Sequence, residues 1–383
     1  MKLVIAIDSF KGSMTSKEAG TAAAQGIRKV FPDADICIRP LADGGEGTVT
    51  AITEGMGGSF RTVTVIGPGG KPAHCRYGIL PAAHTAVIEM SGAAGITLVH
   101  GKEKNPLHTT TYGVGQVILD AISQGCRKFI VGIGGSATND GGVGMLQALG
   151  FDFLDASGDP IPYGAQGLSL LKTIDNAHVL PELKECTFRI ACDVTNPLCG
   201  PEGCSAIFGP QKGADSEMIA LMDPWLAHFA SLAGKMYPNA DPDYPGCGAA
   251  GGLGFAFRTF LNASLESGIK IVLEETHMED YIKDADIILT GEGRLDAQTV
   301  MGKAPQGVAQ MAKKYEKPVL AFSGCVTPDA VICNQSGIDA FFPILRSPVS
   351  LEEAMDTENA KANMSASVEQ VFRVIKTFIV STQ

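Results

Sequence analysis

The sequence predicts an α/β protein built on a largely parallel sheet, with a second, mixed α/β region inserted into it. Three observations carry this. Near-continuous apolar runs, "KLVIAI", "TAVIEM", "KFIVGI", "DIILT" and "PVLAFSG", read as strands buried on both faces. Helical patterns separate many of them, as βα alternation requires. The middle of the chain has a different texture, with short strands and long loops. The expected arrangement is a discontinuous Rossmann- or flavodoxin-like three-layer domain, residues 1–65 plus 283–383. A mixed α/β domain, residues 66–282, is inserted in it, with an active-site cleft between the two.

The elements follow in order. After the first strand, "TSKEAGTAAAQGIRKVF" is helical, and Thr15 with Glu18 forms a T-x-x-E capping box. "SFRTVTVIGPGGKPAHCRYGIL" reads as two antiparallel strands joined at Pro-Gly-Gly. "TTYGVGQVILDAISQG" is a helix before the strand at Phe129. "TFRIACDVTNPLCGPEGCSAIFGPQKGA" has short strands and long loops, and "KMYPNADPDYPGCGAAGGLG" is a long Pro/Gly-rich connection, a kind usually kept for function or a junction. "APQGVAQMAKKYEK" is a helix with proline at its start.

Composition narrows the function. Of 383 residues, 45% are hydrophobic and 19% charged, the profile of a compact enzyme. Aromatics at 7%, with one Trp, predict an aliphatic core. A net charge of −11 argues against nucleic-acid or anionic-membrane partners, which need a basic face. The ten Cys form no CxxC pair and share no ligand spacing with the seven His, so no zinc site is expected and a reducing compartment is. "MKLVIAIDSF" is too short an apolar run for a signal peptide, and no run of about 18 apolar residues marks a membrane span. A cytoplasmic protein is expected.

Five loops concentrate polar residues among the 46 glycines. "IDSFKGSMTS" places Lys11 and Ser13 between a strand and a helix, an anion site by geometry. "PLADGGEGT" places Asp43 and Glu46 among three glycines, where two carboxylates suit Mg²⁺. "GIGGSATNDGGVG" brings Gly134, Gly135, Ser136, Asn139 and Asp140. Its "GIGGSA" fits the dinucleotide fingerprint, but the helix pattern begins only after Gly142, so an anion and hydroxyl site is expected, with Thr138, Asn139 and Asp140 facing the ligand. "CDVTNPLCG" with "GPQKGA" supplies Asp193, Asn196 and Lys212. "TGEGRLDAQTVMGKAP" supplies Glu292, Arg294, Asp296, Gln298, Thr299 and Lys303 from a loop after a buried strand. There is no G-x-x-x-x-G-K-[ST] and no G-x-S-x-G. Carboxylates, cations and backbone donors on several loops fit phosphoryl transfer to a small polar acceptor.

Taken together and in this order, "AIDSFKGSMTS", "PLADGGEGT", "GIGGSATNDGGVGMLQALG", "CDVTNPLCG…FGPQKGA", "GAAGGLG" and "TGEGRLDAQT…GKAP" resemble the type I glycerate kinase family across essentially the whole chain. The resemblance implies a two-domain α/β fold with a cleft and ATP-dependent phosphorylation of D-glycerate. The bacterial branch that the chain looks like is expected to form 2-phosphoglycerate, with 3-phosphate described for other members, in the setting of bacterial glyoxylate and sugar-acid catabolism. A homodimer is compatible with it. Within that frame, Asp296 or Asp193 orients or deprotonates the attacking hydroxyl. Lys11 and Arg294 bind carboxylate or the transferring phosphate. Asp43 and Glu46 hold Mg²⁺. Gly134, Gly135, Ser136 and Asn139 contact phosphate, and Lys212 and Lys303 neutralise developing charge. The rivals are an NAD-dependent hydroxyacid oxidoreductase, resting on "GIGGSA", and a non-catalytic sugar-acid sensor.

Overall fold

The computed structural model describes residues 1–381. Its strands, in chain order, are β1 (Lys2–Ile7), β2 (Asp35–Ile38), β3 (Ser59–Ile66), β4 (Pro72–Leu80), β5 (Thr85–Glu89), β6 (Lys128–Gly132), β7 (Asp152–Leu154), β8 (Thr173–Asp175), β9 (Thr187–Ala191), β10 (Ser264–Glu266), β11 (Ile287–Leu295), β12 (Val319–Val326) and β13 (Ala340–Pro343). The chain divides into two compact units. Of the described residues, the first comprises 1–43, 50–56 and those from 269 onward; the second comprises 44–49 and 57–268.

The first unit carries a five-stranded sheet in the order β13-β12-β11-β1-β2. Every pair in it is parallel. Counted within the unit, the order is 2-1-3-4-5, that of flavodoxin-like sheets. The helix Ser16–Arg28 follows β1 and opens on the expected capping box, with Thr15 and Glu18 bonding reciprocally. It lies against the long helix Thr357–Ser381, and the approach is close: a Cβ on Gly26 would stand 2.3 Å from the Ser365 carbonyl oxygen. Side chains of both helices share one core with β1, Leu289 and Phe322, to which the helix Ala304–Lys313 after β11 contributes none. The strands that succeed β1 and β11 lie on opposite sides of that pair, so right-handed crossovers send the two following helices to opposite faces. The switch point of the sheet is therefore between β1 and β11.

The second unit has a six-stranded sheet, β10-β9-β6-β5-β4-β3, and a small β7–β8 ribbon. The hairpin β3–β4 is antiparallel as expected, closed by the Gly67 N–H to Lys71 carbonyl bond at 2.6 Å with Gly70 at φ +80. From β5 through β6 and β9 to β10 the pairing is parallel. The core here corrects the aliphatic expectation. Phe129 and Phe188 stack at 4.7 Å, and Phe229 packs on both Phe255 and Phe260 at 5.4 and 5.8 Å. A low overall aromatic content does not prevent a local concentration, because the phenylalanines fall on helix and strand faces turned to one side of this sheet.

One element boundary also differs. "TGEGRL" is not loop: β11 continues to Leu295, paired with β12 as far as Leu295–Val326, while its pairing with β1 ends at Ile7–Gly291. Two glycines in a strand disguise this, since glycine is a weak strand former. A Cβ on Gly291 would lie 2.0 Å from the Phe322 carbonyl oxygen, so that glycine serves strand approach.

Candidate active site at the switch point

Open parallel sheets bind ligands beyond the carboxyl ends of their strands, at the switch point. The first unit has a cavity of about 440 Å³ there. Asp8 enters it from the end of β1, and Glu292, Gly293 and Arg294 from the overhanging end of β11. Lys11 and Ser13 come from the turn after β1, where Phe10 and Met14 exchange backbone bonds around Gly12 at φ +78. Asp43 and Lys303 complete the polar end.

The charges are interlocked. Arg294 Nε lies 3.2 Å from Asp296 Oδ2, and Lys303 Nζ lies 3.6 Å from Glu292 Oε2 and 3.7 Å from Asp296 Oδ1. Thr299 donates to Glu292 at 2.7 Å, and the Gln298 N–H donates to Asp296 at 2.9 Å. Asp8 is buried and accepts from the Ser9 N–H at 2.6 Å. Burial, reinforced by the repulsion of Asp43 and Glu292, pushes its carboxyl up to about 7 against the opposing pull of Ser9 N–H and Lys11. Burial likewise raises Glu292. The Ser13 hydroxyl is buried at the cavity wall with no hydrogen-bond partner in the protein. The site thus combines three cations with two acids, Asp8 and Glu292, that burial holds toward the neutral form, an arrangement that a further cation would relieve.

The second unit holds the remaining expected residues. Gly44 and Gly132 meet backbone to backbone: a Cβ on Gly132 would be 2.4 Å from the Gly44 carbonyl oxygen. Gly134 and Gly135 are exposed and Ser136 is buried. Glu46 is exposed, and its neighbouring acid is Glu89, whose carboxylate accepts from the Val49 N–H at 2.8 Å and from the Gly47 and Thr48 N–H groups. Asp193 is exposed and accepts from the Gly268 N–H at 3.0 Å, and Asn196 donates to the Glu202 carbonyl at 2.9 Å.

Asn139, Asp140 and Lys212 are buried within the second unit. Asp140 is 1% exposed, and its carboxylate accepts from the Thr111 N–H and hydroxyl at 2.8 and 2.9 Å and from the Gly142 and Gly144 N–H groups at 3.1 and 3.3 Å. Asn139 donates to Ser205 at 2.8 Å, and Lys212, buried and lowered to about 8 by that burial, donates to the Thr138 carbonyl at 2.7 Å. These three side chains fix the glycine loop from beneath. The two metal candidates keep different company, Asp43 with Asp8 and Glu46 with Glu89. Among the described residues, no three His, Cys, Asp or Glu side chains form a ready-made metal centre. Glu89 is absent from the expected site, and Asp8 and Thr299 fall in its loops without an assigned role. For Asp8 and Glu89 a signal existed, an acid ending a buried strand; hidden for Glu89 was the loop it meets, which joins it only in three dimensions.

Comparison with known proteins agrees with this chemistry. Residues 3–376 match the model of the glycerate kinase family. The chain is 46% identical to a glycerate kinase of Haemophilus influenzae, over 98% of this chain and 99% of that one. It is 48% identical to a glycerate 2-kinase of Escherichia coli, over 92% and 93%. The crystal structure of a Salmonella typhimurium LT2 protein assigned as glycerate kinase 2 superposes with a TM-score of 0.91 at 44% identity, covering 98% of both chains. The chain belongs to the glycerate kinase family and is an enzyme, a kinase.

Proposed function

We propose that this protein transfers the γ-phosphoryl group of ATP to the C2 hydroxyl of D-glycerate, giving 2-phospho-D-glycerate and ADP. The observation that carries the reading is the gathering of Lys11, Arg294 and Lys303 with Asp8, Asp43, Glu292 and Asp296 at the switch point of a parallel sheet. The naming of the Escherichia coli relative as a glycerate 2-kinase supports the choice of carbon. The dinucleotide rival loses its footing, because the helix after "GIGGSATNDGG" begins at Val143, well past the glycines that should open it.

In this reading the glycerate hydroxyl oxygen attacks the γ-phosphorus, the bond to the β–γ bridging oxygen breaks, and ADP leaves. The hydroxyl proton passes to Asp296 or Asp193. Arg294 and Lys11 receive phosphate or glycerate carboxylate oxygens, with the Ser13 hydroxyl as a further donor, and Lys303 balances charge as it spreads over the transferring group. The exposed backbone of Gly134 and Gly135 offers N–H donors to an anion. Mg²⁺ is served by one or two carboxylates together with phosphate oxygens, and Asp43 with Asp8 fits that donor set, its crowding being what a cation would relieve. When bound, the ion would neutralise the phosphates. Sugar-acid catabolism and the cytoplasm are the setting this reading carries; among the described residues no helix is long and apolar enough to cross a membrane.

The test is product formation from ATP, Mg²⁺ and D-glycerate, read through enolase without phosphoglycerate mutase. Phosphoenolpyruvate establishes attack at C2. ADP without phosphoenolpyruvate moves the product to the 3-phosphate, and no ADP removes glycerate as the acceptor.

A further inference from the structure

The cavity that holds the charged residues has a second half of opposite character. Phe10, Ile344, Leu345, Leu351 and Met355 form an apolar wall on the same 440 Å³ space. Leu351 is 79% exposed and Met355 38%, although both line a concave site. The short helix bearing them, Leu351–Met355, is fixed by a capping box between Ser350 and Glu353. The Thr357 hydroxyl then donates to the Ser13 carbonyl at 2.7 Å, tying the segment to the turn that carries Lys11. Gly12 completes the fit: at φ +78, a Cβ there would be 2.9 Å from the Met355 methyl. Apolar wall and cationic turn are one built surface.

We propose that this wall seats the purine ring of the nucleotide, so that ATP binds to the first unit with its base on Leu351 and Met355 and its phosphates toward Lys11 and Arg294. This rests on the phosphoryl-transfer reading and deepens it. D-glycerate, with about seven heavy atoms and no apolar face, would fill little of a space at the size of pockets for far larger ligands, roughly 300–1,000 Å³. A ligand that is flat and apolar at one end and polyanionic at the other matches both halves. Exposed leucine and methionine cost free energy in proportion to their area in water, and a ring laid on them recovers it.

The experiment uses the full chain and three probes: MgATP, MgADP and inorganic tripolyphosphate. Leu351→Asp puts a charge on the wall at an exposed position. The expected result is that it weakens MgADP binding and raises KM for ATP about tenfold, while tripolyphosphate affinity moves less than twofold. Leu351→Phe should keep MgADP affinity within about threefold, separating loss of the apolar surface from loss of the leucine itself. Cys325, an exposed cysteine lining the cavity, adds a direct readout. MgATP should slow its alkylation at least tenfold. Equal MgADP affinity in Leu351→Asp and the wild type, or unchanged Cys325 alkylation under saturating MgATP, overturns the proposal. If D-glycerate is phosphorylated with the ATP KM unmoved in Leu351→Asp, the base seat is wrong and the kinase reading stands. If Leu351→Asp loses MgADP but the wild type leaves D-glycerate unphosphorylated, the seat is right and the acceptor is wrong.

Discussion

Two glycine-rich stretches in this chain look alike as text and behave oppositely as structure. "GGSATNDGG" folds its acid inward, where Asp140 serves three N–H groups and a hydroxyl and is almost wholly buried. "TGEGRLDAQT" lays its acids along a strand overhang and its following turn, where Glu292 and Asp296 share Lys303 and Asp296 also pairs with Arg294, beside a cavity. The difference is where the partners come from. Asp140 is satisfied by buried N–H groups of its own loop and by the N–H and hydroxyl of Thr111, which fix one geometry. Glu292 and Asp296 are satisfied by long cationic side chains, which can exchange a carboxylate for a phosphate. An acid among glycines therefore indicates a ligand site only when its counter-charges can be given up.

The largest effect should separate the two stretches outright. If Asp296 takes the proton, Asp296→Asn lowers kcat by about 10²–10⁴-fold with the melting temperature nearly unchanged. Asp193→Asn should then be mild; the reverse pattern assigns the proton to Asp193, and near wild-type turnover in both removes either acid from the role. Arg294→Ala should cost about 10²–10³-fold in kcat/KM, and Arg294→Lys should recover little of it, since a lysine lacks the bidentate fork.

Asp140→Ala should do the opposite of Asp296→Asn. It orphans buried N–H groups and should lower stability on the order of 3–5 kcal/mol, visible in urea unfolding. The fraction that remains folded should keep its turnover. Strong loss of turnover in a fully folded Asp140→Ala protein would return this loop to the chemistry.

Asp8 sharpens the contrast through pH. Its folded carboxyl is held up to about 7 from an ordinary 3.8, chiefly by burial. The native state therefore keeps a proton that the unfolded chain releases, so Asp8 costs nothing below about pH 4. The cost grows as pH rises and is complete above about 7. Ligand-free Asp8→Asn should melt several degrees higher than wild type at pH 8 and equally at pH 4, an effect on the order of a few kcal/mol. The smallest effect belongs to the fold alone: Thr15→Ala should remove the capping box at a cost of about 1 kcal/mol without touching KM.

Much was determined by the sequence by itself. The apolar runs specified β1, β5, β6, β11 and β12, because strands buried on both faces must be apolar at every position. The capping box at Thr15 and the hairpin at Gly67–Lys71 are local interactions, complete within a few residues. The residues gathered at the switch point, Lys11, Asp43, Glu292, Arg294, Asp296 and Lys303, were legible because ligands bind at the strand ends of open sheets, and a plain turn does not need so many charges. Tertiary structure decided the rest. It alone extended β11 past its glycines, since that pairing depends on β12, a strand that begins 24 residues after β11 ends, at Val319 against Leu295. It alone turned Asp140 and Lys212 inward, because burial belongs to the packed molecule and not to a residue type. It also brought Asp8, at the start of the chain, within repulsive reach of Glu292, a proximity no local pattern encodes.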